Sequence, residues 1–527
     1  MSGRSALSPE PGGSSTRQGR DLRPVWLVPV ALMVVAGTLR LVSLAARSPW
    51  DKDQGHDLEM LLAFVRDGTV PLLGPPTSIG DFHHGAVYYY LLAPFAWLSD
   101  ADPVAATLAF ALAGIAAVAV TWWIAREIGG PVAGLVAGAA MALSATEVET
   151  STFIWNPNLI PLSSSIALAG AWWAWSSRRP LGWVVAAAGA MVTVQCHVLG
   201  VVLVPPIAAL FIADVVRRHG PDRTALRGPA IVGVLVLAAG YLPLAINELV
   251  AGGGEIEALL AYVRGSGGSG VDLLTRVVVV PIRIVSWPLV GLFIDAVALA
   301  VVATAVVVSL LLWRARAGRT SERAAMLWLG GTLAWSWAAL VFVAPSLGTV
   351  VRELPVDHYH AYLDPVVATV LGVGVAALLR ARIPGRVAAV AIVAPLLAWN
   401  VATQPPLVHP DGGWPAGEAA GDRIVAGADG APIAFVAIPD FKGPQAYRFP
   451  VERVRAEIVP DADALPDGGL LVVLCDDLFR EAVGAPCGGP AEAREIEALG
   501  RPAVLADRFE PSPGRLLSLY RVGGSTP

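Results

Sequence analysis

Long apolar runs recur along this chain from residue 25 to residue 403, and that recurrence constrains the fold more than any other feature. About 20 helical residues cross the hydrocarbon core of a bilayer, and backbone can cross it only as helix or closed barrel. The runs read as eleven spans, near 25–46, 103–125, 130–146, 159–176, 181–196, 198–216, 229–248, 292–313, 324–345, 361–379 and 386–403. Only 15% of the residues are charged, against about 25% in a soluble domain. The expectation is an all-α polytopic membrane protein.

Loop charges orient the spans. One set of connections holds Arg17, Arg20, Arg23, Arg126, Arg178, Arg179, Arg217, Arg218, Arg314, Arg316, Arg380 and Arg382. The opposite set is nearly free of basic residues, and the excess of Arg marks the cytoplasmic side. The polar N-terminus, 1–23, is then cytoplasmic and, being rich in Gly, Ser and Pro, is expected to be disordered. The spans and their loops make one domain, 24–403, with a large first external loop at 47–102. An amphipathic segment at 254–290 is expected to lie along the interface. An odd number of spans places residues 404–527 outside.

Beyond 404 the composition changes. Short apolar runs at 433–438, 470–475 and 515–522 read as buried strands, with a helical stretch PAEAREIEALG between the last two. This is a small extracytoplasmic α/β domain. Cys475 and Cys487 both fall in it, and a disulfide between them is open on spacing alone. Cys196 lies in an apolar span and reads as a small buried residue.

Polar clusters gather on the external side. The stretch SPWDKDQGHDLEM (48–60) carries Asp51, Asp53 and Asp57 and runs into an amphipathic helix that would hold the acids against the protein. Each acid alone is an ordinary solvated loop residue. The same loop returns through His83 and His84 into AVYYYLLAPFAWL, with Tyr88 and Tyr89, a second interfacial helix in which Trp97 reads as a membrane anchor. Asn156 and Asn158 in WNPN either cap the next helix or face a site. Gln195 and His197 end an apolar span, where polar groups are costly and tend to face cavities. His358, Tyr359 and His360 precede the tenth span, as an aromatic belt or as part of the same face. A transporter would show internal repeats and polar groups at the midplane, and a scaffold or sensor would leave this convergence unexplained. An enzyme is favoured over both, and no nucleic-acid partner is expected.

The runs RLVSLAARSPWDKDQ, LLGPPTSIGDFHHGAVYYYLLAPF, FIWNPN, VQCH and HYHAYLDP, in this order, resemble polytopic glycosyltransferases of the GT-C fold. The bacterial branch similar to protein O-mannosyltransferases and lipid A aminoarabinose transferases is the nearest, over residues 25–403. The resemblance implies a bacterial plasma-membrane enzyme that moves a sugar, with inversion, from a polyprenyl-phosphate donor to an extracytoplasmic acceptor. It implies an acid in the first loop near the reaction centre, here Asp53 as general base. Many relatives read Asp-Glu there, whereas Asp53 is followed by Gln54, so a second carboxylate must come from Asp51 or Asp57. The departing phosphate needs positive charge or a metal. The external arginines Arg264, Arg276, Arg283 and Arg352 are the candidates, with His84 and His358 or His360 as neutral donors or metal ligands. A divalent metal ion is left open.

Overall fold

The computed structural model describes residues 27–77, 81–265, 271–350 and 356–523. The expected N-terminal disorder and Arg352 lie outside the described residues. Eight described helices are long and apolar enough to cross a membrane, from Pro103–Gly129 to Ile383–Ala402. Four shorter apolar helices, Leu27–Leu41, Pro131–Leu143, Leu181–Cys196 and Leu242–Ala251, join them. The chain is a multi-pass membrane protein; length and composition do not fix the count of eleven. Leu273–Val290, expected on the interface, is also long and apolar enough to cross.

Small residues let these helices approach closely, the usual device where lipid removes the hydrophobic drive between them. Helices Ile160–Ser176 and Leu181–Cys196 meet at Gly170 and Gly182. A Cβ added at Gly182 would lie 2.5 Å from the carbonyl oxygen of Gly170.

The first loop forms two helices, as its periodicity predicts. Lys52–Asp67 begins with a capping box, Asp51 accepting from the Lys52 N–H at 2.7 Å and Gln54 Oε1 accepting from the Asp51 N–H at 3.0 Å. It ends at Gly68 in the left-handed region, φ 70°, which glycine adopts without a Cβ clash. Leu58, Leu61 and Leu62 bury its apolar face. Val87–Ser99 follows, with Tyr88, Tyr89 and Leu92 buried.

The C-terminal part holds a four-stranded sheet in the order β1-β2-β4-β3. Its strands are β1 (Ile433–Ile438), β2 (Leu470–Asp476), β3 (Ala503–Ser512) and β4 (Arg515–Val522). β1 and β2 run parallel, and the other pairs are antiparallel. Three strands match the apolar runs. β3 was missed because it is a half-exposed edge carrying Asp507, Arg508 and Glu510, so no apolar run marks it. A disulfide joins Cys475, in β2, to Cys487, Cα to Cα 5.6 Å.

Candidate active site

A cavity of about 180 Å³ lies where the first loop, the WNPN turn, the end of Leu181–Cys196 and the HYH turn meet. Its walls include Asp53, Asp57, His84, Asn156, His197, His358 and Tyr359, residues drawn from four separate stretches of sequence. Backbone bonds hold the stretches in register. The Gln54 side-chain amide donates to the Ile154 carbonyl at 2.9 Å, so the glutamine in place of a second acid ties two loops together. Gly85 N–H donates to the Gln195 carbonyl at 2.9 Å, and the Asn156 side-chain amide donates to the Cys196 carbonyl at 2.5 Å.

The three acids have three environments. Asp51 turns away from the cavity and pairs with Lys442 and Arg515 of the C-terminal part, each at 2.8 Å. Those cations outweigh its burial and hold its carboxyl below the usual range. Asp57 is buried and accepts from Tyr88 at 2.6 Å and Tyr89 at 2.9 Å, with His56 Nδ1 3.5 Å away. Asp53, one helical turn from Asp57, makes no hydrogen bond or ion pair among the described residues and opens into the cavity. Its side chain is solvent-accessible, yet protein encloses the space it faces. Desolvation there, then the charges of Asp57 and Asp51, raise its carboxyl above the ordinary value against the pull of Lys52 and Lys442. A free carboxylate with a raised pKa beside a held one is the arrangement expected of a base and its support. Asp57 is thus the second acid at the cavity.

Imidazoles form the opposite wall. The His84 and His197 rings lie 4.9 Å apart, and His197 and His358 lie 5.3 Å apart. Burial, and to a lesser degree His83, pushes His84 down to about 4, so it is neutral at pH 7. His358 packs on Trp155 and Tyr359, at 4.4 and 4.6 Å.

Other candidate residues stand outside the cavity wall. His83 bonds Glu255 at 2.8 Å. Tyr88 and Tyr89 act through Asp57. Gln195 is buried with Oε1 unsatisfied, against Gly85. Asn158 donates to the Phe153 carbonyl at 3.1 Å and lines a smaller neighbouring cavity. His360 is buried on Asp357 at 3.2 Å. Arg283 is buried in a two-point pair with the same Asp357, at 2.9 and 2.5 Å. Arg276 donates to the Val341 carbonyl at 2.8 Å, and Arg264 is exposed. None of these three arginines lines the cavity, whereas Lys52 and His56 do. Sequence reasoning passed over Lys52, His56 and Trp155. One signal was available: the sequence has only two lysines, Lys52 and Lys442, and both sit at this junction. Among the described residues no group of three or more His, Cys, Asp or Glu side chains is arranged to hold a metal ion.

Taken together, the helical membrane scaffold with a two-helix first loop and a carboxylate-lined cavity is the GT-C fold. ArnT from Cupriavidus metallidurans, in a structure bound to undecaprenyl phosphate, is similar over 93% of this chain and 97% of its own, at 15% identity and a TM-score of 0.59. AglB from Archaeoglobus fulgidus, in complex with an inhibitory peptide and a dolichol-phosphate, is similar over 94% and 74%, at 12% identity and a TM-score of 0.50. The arabinofuranosyltransferase AftD from Mycobacteria is similar over 95% of this chain and 40% of its own, at 13% identity and a TM-score of 0.52. In sequence, residues 83–243 match the family described as dolichyl-phosphate-mannose-protein mannosyltransferase. No curated protein matches in sequence.

Proposed function

We propose that this protein is a bacterial plasma-membrane glycosyltransferase that moves a sugar from a polyprenyl-phosphate donor to an extracytoplasmic acceptor, with inversion. The observation that carries the reading is Asp53, an unpaired carboxyl of raised pKa opening into a cavity beside a tyrosine-held Asp57. The mannosyltransferase family match and the likeness to ArnT bound to undecaprenyl phosphate support it.

The acceptor hydroxyl gives its proton to Asp53 as its oxygen bonds to the anomeric carbon. The bond from that carbon to the phosphate oxygen breaks on the opposite side, and the electron pair leaves with the polyprenyl phosphate. Lys52, with the His84 and His358 imidazoles, meets that anion. The Cys475–Cys487 disulfide fits an oxidising compartment for the C-terminal part, which agrees with the loop charges.

The test is transfer of labelled sugar from polyprenyl-phosphate donors to membrane acceptors by the purified protein in nanodiscs. Asp53→Asn is expected to cut turnover by about 10²–10⁴-fold, the range for loss of a general base. Wild-type turnover in that variant removes Asp53 as base, and no transfer from any donor removes the reading itself.

A further inference from the structure

The helix that carries Asp53 is held from outside the membrane part. Its N-cap, Asp51, lies against a four-charge network in which Lys442 and Arg515 each stand 2.8 Å from Asp51. Asp476, fully buried at the end of β2, faces the same two cations at 3.6 and 3.5 Å. Two acids and two bases balance, as a buried network must. Around it, Arg515 donates to the Trp50 carbonyl at 2.9 Å, the Trp50 indole donates to the Ala446 carbonyl at 2.6 Å, and Lys52 donates to the Phe441 carbonyl at 2.8 Å. The two lysines of the chain therefore cross the junction in opposite directions. Lys52, on the cavity wall, reaches the C-terminal part, and Lys442 reaches back to the N-cap of the Asp53 helix.

We propose that Lys442 is a positioning residue of the active site, through which the C-terminal α/β part fixes the orientation and the charge state of Asp53. The inference rests on Asp53 being the base. The charged groups acting on Asp53 are Lys52 and Asp57 on its own helix, the N-cap Asp51, and Lys442 from the C-terminal part, with His56 beside it. Tyr89 acts on it from the returning loop, and His84, His197 and His358 line the same cavity. Among the C-terminal groups, Lys442 is the cation that favours the ionised carboxylate, against Asp51, which disfavours it.

The two members of one ion pair thus act on Asp53 with opposite signs, which damage to the fold does not imitate. The experiment measures the acid limb of kcat/KM against pH for wild type, K442M, D51N and the double variant in nanodiscs. Asn keeps the helix cap. K442M is expected to move the limb upward by about half to one pH unit, as loss of a neighbouring opposite charge does. D51N is expected to move it downward by a similar amount, and the double variant is expected to lie between them. The double variant leaves no unpaired charge of this pair, so it keeps the test available if K442M alone does not fold: its limb lies above that of D51N. A K442M limb that stays in place or moves downward overturns the proposal, as does a double variant that coincides with D51N. D53N tests the underlying reading separately, since its failure to lose activity removes the base whatever the two profiles do.

Discussion

The Tyr88 hydroxyl donates to Asp57 at 2.6 Å, and Asp57 sits one helical turn from Asp53. A tyrosine that reads in sequence as a candidate site residue is therefore bonded to a carboxylate at the cavity. Asp57 is buried and has two phenol donors. Removing one leaves a charged acceptor undersatisfied, at a cost of about 1.5–3 kcal/mol. Tyr88→Phe is expected to lower the unfolding midpoint and to reduce kcat more than it raises KM, because it disturbs the support and not the donor groove. Thermal unfolding and donor-saturation kinetics check this; an unchanged midpoint would mean that Asp57 does not depend on the bond.

His84 gives a pH dependence whose sign can be worked out. Its folded pKa is about 4, against 6.5 for the free side chain. The unfolded chain therefore takes up a proton first. The stability tied to neutral His84 is present above pH 6.5 and is lost as pH falls from 6.5 towards 4. The difference between the two states corresponds to about 3 kcal/mol. His84→Gln is expected to flatten the fall in unfolding midpoint between pH 6.5 and 4.5. Parallel curves for the two proteins would show that other groups dominate.

Much of this was legible in the sequence, for physical reasons. Apolar runs and helical periodicity each report a local demand of the membrane, so the apolar helices and the two helices of the first loop could be read directly. Residues such as Asp53, His197 and His358 could be grouped because each follows or precedes an apolar run at one end, and they do line one cavity. What the sequence withheld is partner choice. Asp51, Asp53 and Asp57 look alike in a row, and only the packed structure shows one paired with Lys442, one open and one held by tyrosines. Arg283 looked free for a phosphate but is buried on Asp357, a pairing set by a contact 74 residues away. β3 is an edge strand, and edges carry little apolar signal.

The disulfide gives a third prediction. Cys475 and Cys487 are 12 residues apart, and a closed loop of that size stabilises a fold by about 3 kcal/mol. Cys475 directly precedes Asp476, the buried acid that faces Lys442 and Arg515. The pair Cys475→Ser and Cys487→Ser is expected to lower the unfolding midpoint of the C-terminal part, and reducing agent is expected to do the same to wild type and nothing to the variant. Limited proteolysis within 404–527 reads the effect, and equal cleavage with and without reductant in wild type would argue against it.

Gly55 offers the sharpest probe of how the two parts meet. It lies on the first turn of the Lys52–Asp67 helix, and a Cβ there would stand 2.3 Å from the backbone carbon and oxygen of Gln445. Those atoms belong to a helix start, Gln445–Arg453, and cannot swing aside as a side chain end would. In an isolated helix alanine is favoured over glycine by about 1 kcal/mol, so local propensity predicts that Gly55→Ala stabilises. The close approach predicts the opposite, because overpacking a well-packed contact costs about 1–3 kcal/mol or more. The contact is expected to win: Gly55→Ala separates the helix from the C-terminal part, lowers the unfolding midpoint and reduces transfer, while exposed Gly68→Ala, with nothing near its Cβ, changes transfer little. A Gly55→Ala protein more stable than wild type, with full transfer, would show that the two parts do not bear on each other at this point.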